Sequence, residues 1–382
     1  MTPESARHKI LPLTSARFFA AFLIVLLHTS HSPLGFVIPS EIEFMLGAGV
    51  DFFFVLSGFI ITYTYGRIDS SAGVLNFWGA RFSRIWPTHA LTFLLCVALF
   101  PSTQWAMNQP AALPALANIS MLHAAVPVPM YYFSFNGPSW SISTEMFFYL
   151  LYPLVIAGFY WKRWVPFAAA ILGVGAAFAI SLGLNLPPYG PDVVTHATSH
   201  GMMSISPLAC FLEFVCGIYA AAAWAPLKAR LKLSKLGFTG LEAVTLGVAI
   251  VAVVSFQHVA AALEAQHVSN AVVLWIRFHA SAIFLGALVL VLALEGGYIA
   301  KLLSWRPLVV LGEISFSTYM LHQVVIRVML AQGWHTPDGY NAGMFVAFLV
   351  LIIGLSYVVW SVVEKPSRRA LNKLFHHTTV RD

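Results

Sequence analysis

The chain has 382 residues, 59% of them apolar and 9% charged, with a mean hydropathy of +0.79. A water-soluble domain carries about 25% charged residues, so this composition excludes that class and indicates a polytopic membrane protein. The net charge of +6 does not mark a nucleic-acid binder, because no basic segment has the required face or interleaved aromatics.

The first apolar run, 11–30, contains Arg17 and His28. Eleven positions at about 100° each bring both to one helix face, about 16 Å apart along the axis. A cation and an imidazole on one membrane helix call for a partner or a function. With Arg17 inside the run and no small-residue cleavage site, the segment is not read as a cleaved signal peptide. Further spans are predicted at 44–65, 83–101, 143–160, 165–183, 204–224, 240–257, 270–294, 308–330 and 342–363, ten in all. In the second, Asp51, Val55, Gly58, Thr62 and Tyr65 form a stripe at helical spacing. Arg81 and Arg84 stand at the start of the third, one turn apart, as a phosphate clamp would require. In the fourth, Ser141, Glu145, Tyr149 and Tyr152 share a face. The sixth contains Glu213, and the ninth carries Ser315, Tyr319 and His322 on one side.

With both termini cytoplasmic, 18 of the 21 lysines and arginines fall on the inner side and the other three, Arg17, Arg277 and Arg327, inside helices. This asymmetry fixes the predicted orientation. It puts Arg81 and Arg84 at the cytosolic surface with Arg17 below them, a cationic slot suited to a polyphosphate. His28, Asp51, Glu145 and His322 fall in the outer half. The outer loops, 102–140 and 184–203, are rich in proline and aromatics. They suit either a packed cap or a neutral hydroxylated ligand such as a sugar. Cys96, Cys210 and Cys216 lie in apolar runs without zinc spacing and are read as packing residues. No metal is expected. Motifs for nucleotide hydrolysis, dinucleotide redox, zinc proteolysis and serine hydrolysis are absent from the sequence.

A carboxylate beside an imidazole orients it and stabilises the imidazolium. His28 with Glu145 or Asp51 is therefore the expected base and its orienter. The plainer reading is a structural pairing that fixes helix packing, for example Arg17 with a carboxylate.

Six segments carry a resemblance to one family. They are L-T-S-A-R-F-F-A-A-F-L-I-V-L-L-H (13–28), G-V-D-F-F-F-V-L-S-G-F (49–59), R-F-S-R-I-W-P (81–87), W-S-I-S-T-E-M-F-F-Y-L-L-Y-P (140–153), I-S-F-S-T-Y-M-L-H (314–322) and E-K-P (364–366). In this order they resemble the acyltransferase family 3 membrane enzymes, over residues 8 to 370. The resemblance implies an all-α membrane acyltransferase that moves an acyl group, usually acetyl, from cytosolic acyl-CoA to an extracytoplasmic hydroxyl, often on a surface polysaccharide. It carries the catalytic role to His28, Glu145 and Asp51, and acyl-CoA binding to Arg17, Arg81, Arg84 and His322. Transfer is either direct or through an acyl-histidine. The expected partners are acyl-CoA, a carbohydrate or other hydroxylated acceptor, and the bilayer of the inner membrane. The sequence does not name an oligomeric state. The expected organisation is a membrane domain over 1–370 and a short cytoplasmic tail over 371–382. Many relatives add an esterase-like domain that is not expected here, which leaves the need for a partner open. A proton-coupled exporter or a flippase of a polysaccharide precursor is the alternative reading; a visible internal repeat, common in such transporters, is missing.

Overall fold

The computed structural model describes residues 8–30, 39, 42, 45–334 and 342–378. Among them the secondary structure is helical, without a strand. Ten segments are long and apolar enough to cross a membrane, and the chain is a multi-pass membrane protein. The spans are α1 (Leu11–Ser30), α2 (Ala48–Tyr65), α3 (Ser71–Leu99), α4 (Trp140–Trp161), α5 (Val165–Gly183), α6 (Phe211–Arg230), α7 (Lys235–Ala265), the pair α8 (Asn270–His279) and α9 (Ala282–Ala293), α10 (Arg306–Ala331), and α11 (Ala342–Val359), which continues through a π turn at Trp360–Glu364 into α12 (Lys365–Thr378). An even number of crossings puts both ends of the described chain on one face, here the terminal face. The other is the loop face.

Two predicted boundaries differ in ways that matter for the site. Ser70 caps α3, its Oγ accepting from the Gly73 amide at 3.0 Å, so this helix begins twelve residues before the expected 83. Arg81 and Arg84 therefore lie within the helix rather than at its start. The predicted 270–294 span is interrupted at Ala280 and Ser281. At the C-terminal end, residues 371–378 belong to α12, which packs against α3; residues 379–382 lie outside the described set.

Small residues let two pairs of helices meet backbone to backbone, as membrane packing favours. A Cβ on Gly58 of α2 would lie 2.0 Å from the Phe214 carbonyl of α6, and one on Gly217 of α6 would lie 2.0 Å from the Val55 carbonyl of α2. The stripe from Asp51 to Tyr65 is thus mostly the α2–α6 contact face. Gly312 of α10 similarly abuts the Thr14 carbonyl of α1. Around these contacts the core is aromatic: Phe54, Phe77, Phe148, Tyr152 and Phe214 are buried together, while Leu154, Leu172, Leu236 and Val350 face outward. Pro153, within α4, has no N–H to offer the Tyr149 carbonyl. The Trp78 indole of α3 donates to that carbonyl instead, at 3.1 Å, tying α3 to α4 beside the arginines.

Candidate active site

A cavity of about 600 Å³ runs through the bundle. At the terminal face its mouth is lined by His8, Lys9, Tyr63 and Arg368. Along α2 it extends from Thr64 to Val50, about 21 Å at helical rise, so it reaches most of the way to the loop face. Arg17 of α1 and Arg81 and Arg84 of α3 line it, as do Glu145 and Tyr149 of α4, and Ser141 and Tyr319, their hydroxyls 2.8 Å apart, line its deep end. Four of the predicted site residues, from three helices, therefore share one space.

Their partners divide the arginines. Arg81 is 5% exposed and donates to the Tyr65 hydroxyl at 2.9 Å, which holds its guanidinium against α2. Arg17 and Arg84 lie in one electrostatic neighbourhood with Glu145 and the buried Glu364, whose carboxylate accepts from Ser317 at 2.9 Å. Neither Arg17 nor Arg84 has an ion pair within 4 Å among the described residues. All three guanidinium groups thus line the cavity, where an anionic ligand can meet them, with that of Arg81 braced by Tyr65. Glu145 accepts from the Tyr149 hydroxyl at 2.5 Å, and Ser57 donates to the same hydroxyl at 3.2 Å.

His28 and His322 are brought together across the α1–α10 contact. His28 Nδ1 lies 2.9 Å from His322 Nε2. His322 Nδ1 lies 2.5 Å from the Tyr319 carbonyl, which can only accept, so that nitrogen carries the N–H. Its Nε2 is then the acceptor, and His28 Nδ1 must donate to it. The network therefore places the lone pair of neutral His28 on Nε2. Expectation and structure part here. Glu145 bonds Tyr149, and Asp51 lies elsewhere, so the orienting partner that the structure gives His28 is His322. Asp51 groups instead with Glu213 and His279, their ligating atoms all within 4.8 Å of one another. Neither His28 nor His322 lines the cavity. Tyr319 does, and its ring centroid is 5.8 Å from that of His322.

Tyr319, Tyr149, Glu364 and Arg368 were not singled out as site residues, although Tyr149 and Tyr319 stood on the predicted stripes and Glu364 in the last motif. His279 was missed outright. It carries the same signal as His28, a titratable group inside an apolar run.

The loop-face segment 101–139 packs as a cap. His123, Tyr132 and Asn118 are buried in it, with His123 Nε2 3.2 Å from the Ser139 hydroxyl and Tyr132 bonded to Thr198 at 3.2 Å. Burial pushes the His123 imidazole down to about 3 and that of His200 to about 4, so both are neutral at physiological pH.

Comparison with known proteins identifies relatives of the chain. Acyltransferase MdmB of Streptomyces mycarofaciens is 27% identical over 391 residues, covering 94% of this chain and 92% of that protein. O-acetyltransferase OatA of Staphylococcus aureus is 25% identical over 360 residues, covering 86% of this chain. The chain spans about half of OatA's length, 53%. No solved structure gives a significant match. The family model described as an acyltransferase domain matches residues 13–361, a stretch that contains the three cavity arginines, Glu145 and both histidines of the pair, and the chain therefore belongs to this family, the membrane acyltransferases of family 3.

Proposed function

We propose that the protein transfers an acetyl group from cytosolic acetyl-CoA to a hydroxyl of an extracytoplasmic acceptor, a surface polysaccharide in the first instance. The observation that carries this reading is the cavity: three arginines on the terminal-face side, a depth suited to an extended thiol arm, and an imidazole pair beside Tyr319 at its deep end. The lysine and arginine asymmetry supports a cytosolic terminal face. The CoA phosphates are then held by Arg81 and Arg84, with Arg17 deeper, and the pantetheine arm extends toward Ser141 and Tyr319. His28 Nε2 takes the proton of the acceptor hydroxyl as its oxygen attacks the thioester carbon. The C–S bond breaks, and the proton passes from His28 to the departing thiolate. His322 keeps His28 in the tautomer this requires. Glu145 and Glu364 balance the arginines. The name of OatA, an O-acetyltransferase, supports acetyl and oxygen as group and acceptor.

Titration calorimetry of the purified protein with acetyl-CoA tests the donor. Charge-assisted hydrogen bonds of about 1.5–3 kcal/mol each predict that Arg81→Ala or Arg84→Ala weakens binding about tenfold or more. Unchanged affinity in the double variant would reject the arginine clamp, and no heat from the wild type would reject CoA as donor. Mass spectrometry of envelope glycans with and without the gene identifies the acceptor.

A further inference from the structure

Asp51, Glu213 and His279 stand apart from the cavity and have no part in the proposed reaction. All three are buried, at 7%, 0% and 2% exposure. Asp51 and Glu213 sit in the first turns of α2 and α6, where aligned backbone N–H groups favour a negative charge. His279 ends α8 at the break before α9. The charged groups acting on Asp51 are Glu213 and His279, and on Glu213, His279. Among the described residues no lysine or arginine is one of them, so two carboxylates share the site with one imidazole.

Two further observations point to a ligand. Glu213 Oε2 is buried without a hydrogen-bond partner. His279 Nε2 lies 2.6 Å from the Met203 carbonyl, an acceptor only, so Nε2 carries the N–H and Nδ1 presents a lone pair. That lone pair faces Glu213 Oε1. Two acceptors that face each other require a positive species, either an added proton at this contact or a metal ion bound by both with the pair opened to coordination distance. An imidazole whose far nitrogen donates to a backbone carbonyl is also how metal-binding histidines are held in place.

We propose that Asp51, Glu213 and His279 bind one divalent transition-metal ion, zinc by preference. One imidazole nitrogen and two carboxylate oxygens suit this class of ion, and its two positive charges cancel the two negative ones. The ion clamps α2, α6 and the end of α8 together near the loop face. This goes beyond the proposed acyl transfer and does not depend on it.

Inductively coupled plasma mass spectrometry of untagged protein, purified in detergent without chelator, reads the site directly. The expected result is about one zinc per chain, removed by dipicolinate and restored by zinc chloride, with the thermal midpoint falling and recovering in step. Asp51→Asn and Glu213→Gln should each reduce bound metal to below about a tenth of an equivalent, while His28→Ala keeps it. Should those variants fail to fold, chelation and reconstitution of the wild type still decide. Wild-type protein with less than about a tenth of an equivalent of any divalent metal, and no thermal response to dipicolinate or zinc chloride, would overturn the proposal in favour of a shared proton. Full zinc content in folded Glu213→Gln would overturn it as well.

Discussion

At the scale of single residues, the hydrogen bond between two imidazoles is what the proposed chemistry turns on. A general base contributes about 10²–10⁴-fold, so His28→Ala should lower transfer by that factor in folded protein. His322 acts through His28, which gives its variants a distinguishing pattern. His322→Ala removes the acceptor for the His28 Nδ1 proton and should cost about tenfold or more in kcat, with little change in the KM for acetyl-CoA. His322→Gln supplies an amide oxygen to the same proton and should recover part of the loss. Equal loss in both variants would reduce His322 to a packing role. Much of this residue set was legible in advance. Arg17, Arg81, Arg84 and Glu145 could be placed on facing stripes because helical periodicity fixes direction within a helix. Periodicity says nothing of which helices adjoin, and so Asp51 stands in the sequence reading as one of two candidate partners of His28, whereas its neighbours are Glu213 and His279.

At the scale of elements, the ends of α1 and α5 followed from hydropathy alone, since α5 is apolar almost throughout and α1 is apolar on either side of Arg17. The start of α3 did not, because residues 71–82 include Gly73, Asn76, Gly79 and Arg81 and are too polar to register as a span. The readable sign was Ser70, a side chain that caps helices well. The interruption between α8 and α9 falls at Ala280 and Ser281, neither of which breaks a helix by preference. The α2–α6 crossing was half visible, as Gly58 stood on the predicted stripe. With a Cβ at Gly217 placed 2.0 Å from the Val55 carbonyl, Gly217→Leu must part the two helices. The expected cost is about 3 kcal/mol, the upper end for overpacking, measured as a lowered unfolding midpoint in detergent, whereas Ala substitution of Gly175, with nothing within 4 Å of its added Cβ, should leave the midpoint nearly unchanged.

At the scale of the whole molecule, ten spans, a two-faced charge distribution and a cationic slot could be read from the sequence, but the extent and lining of the cavity could not. A tunnel arises from how helices splay, which no one-dimensional pattern records. The loop-face cap makes its own prediction. His123 and His200 have folded-state values of about 3 and 4 against an ordinary 6.5. The unfolded chain therefore binds more protons below 6.5, and stability is full above that pH and falls as pH drops toward 4. The unfolding midpoint should decline between pH 7 and pH 5, and decline less in a His123→Gln, His200→Gln variant.

The place of Tyr319 has a consequence for idle enzyme. Its ring stands at the deep end of the cavity, next to the histidine pair. In the proposed reaction it would keep a loaded thioester off the base while no acceptor is present. Wasteful hydrolysis of acetyl-CoA should be slow in the wild type and rise in Tyr319→Ala, as a steady release of free thiol in a reaction that contains nothing to acetylate.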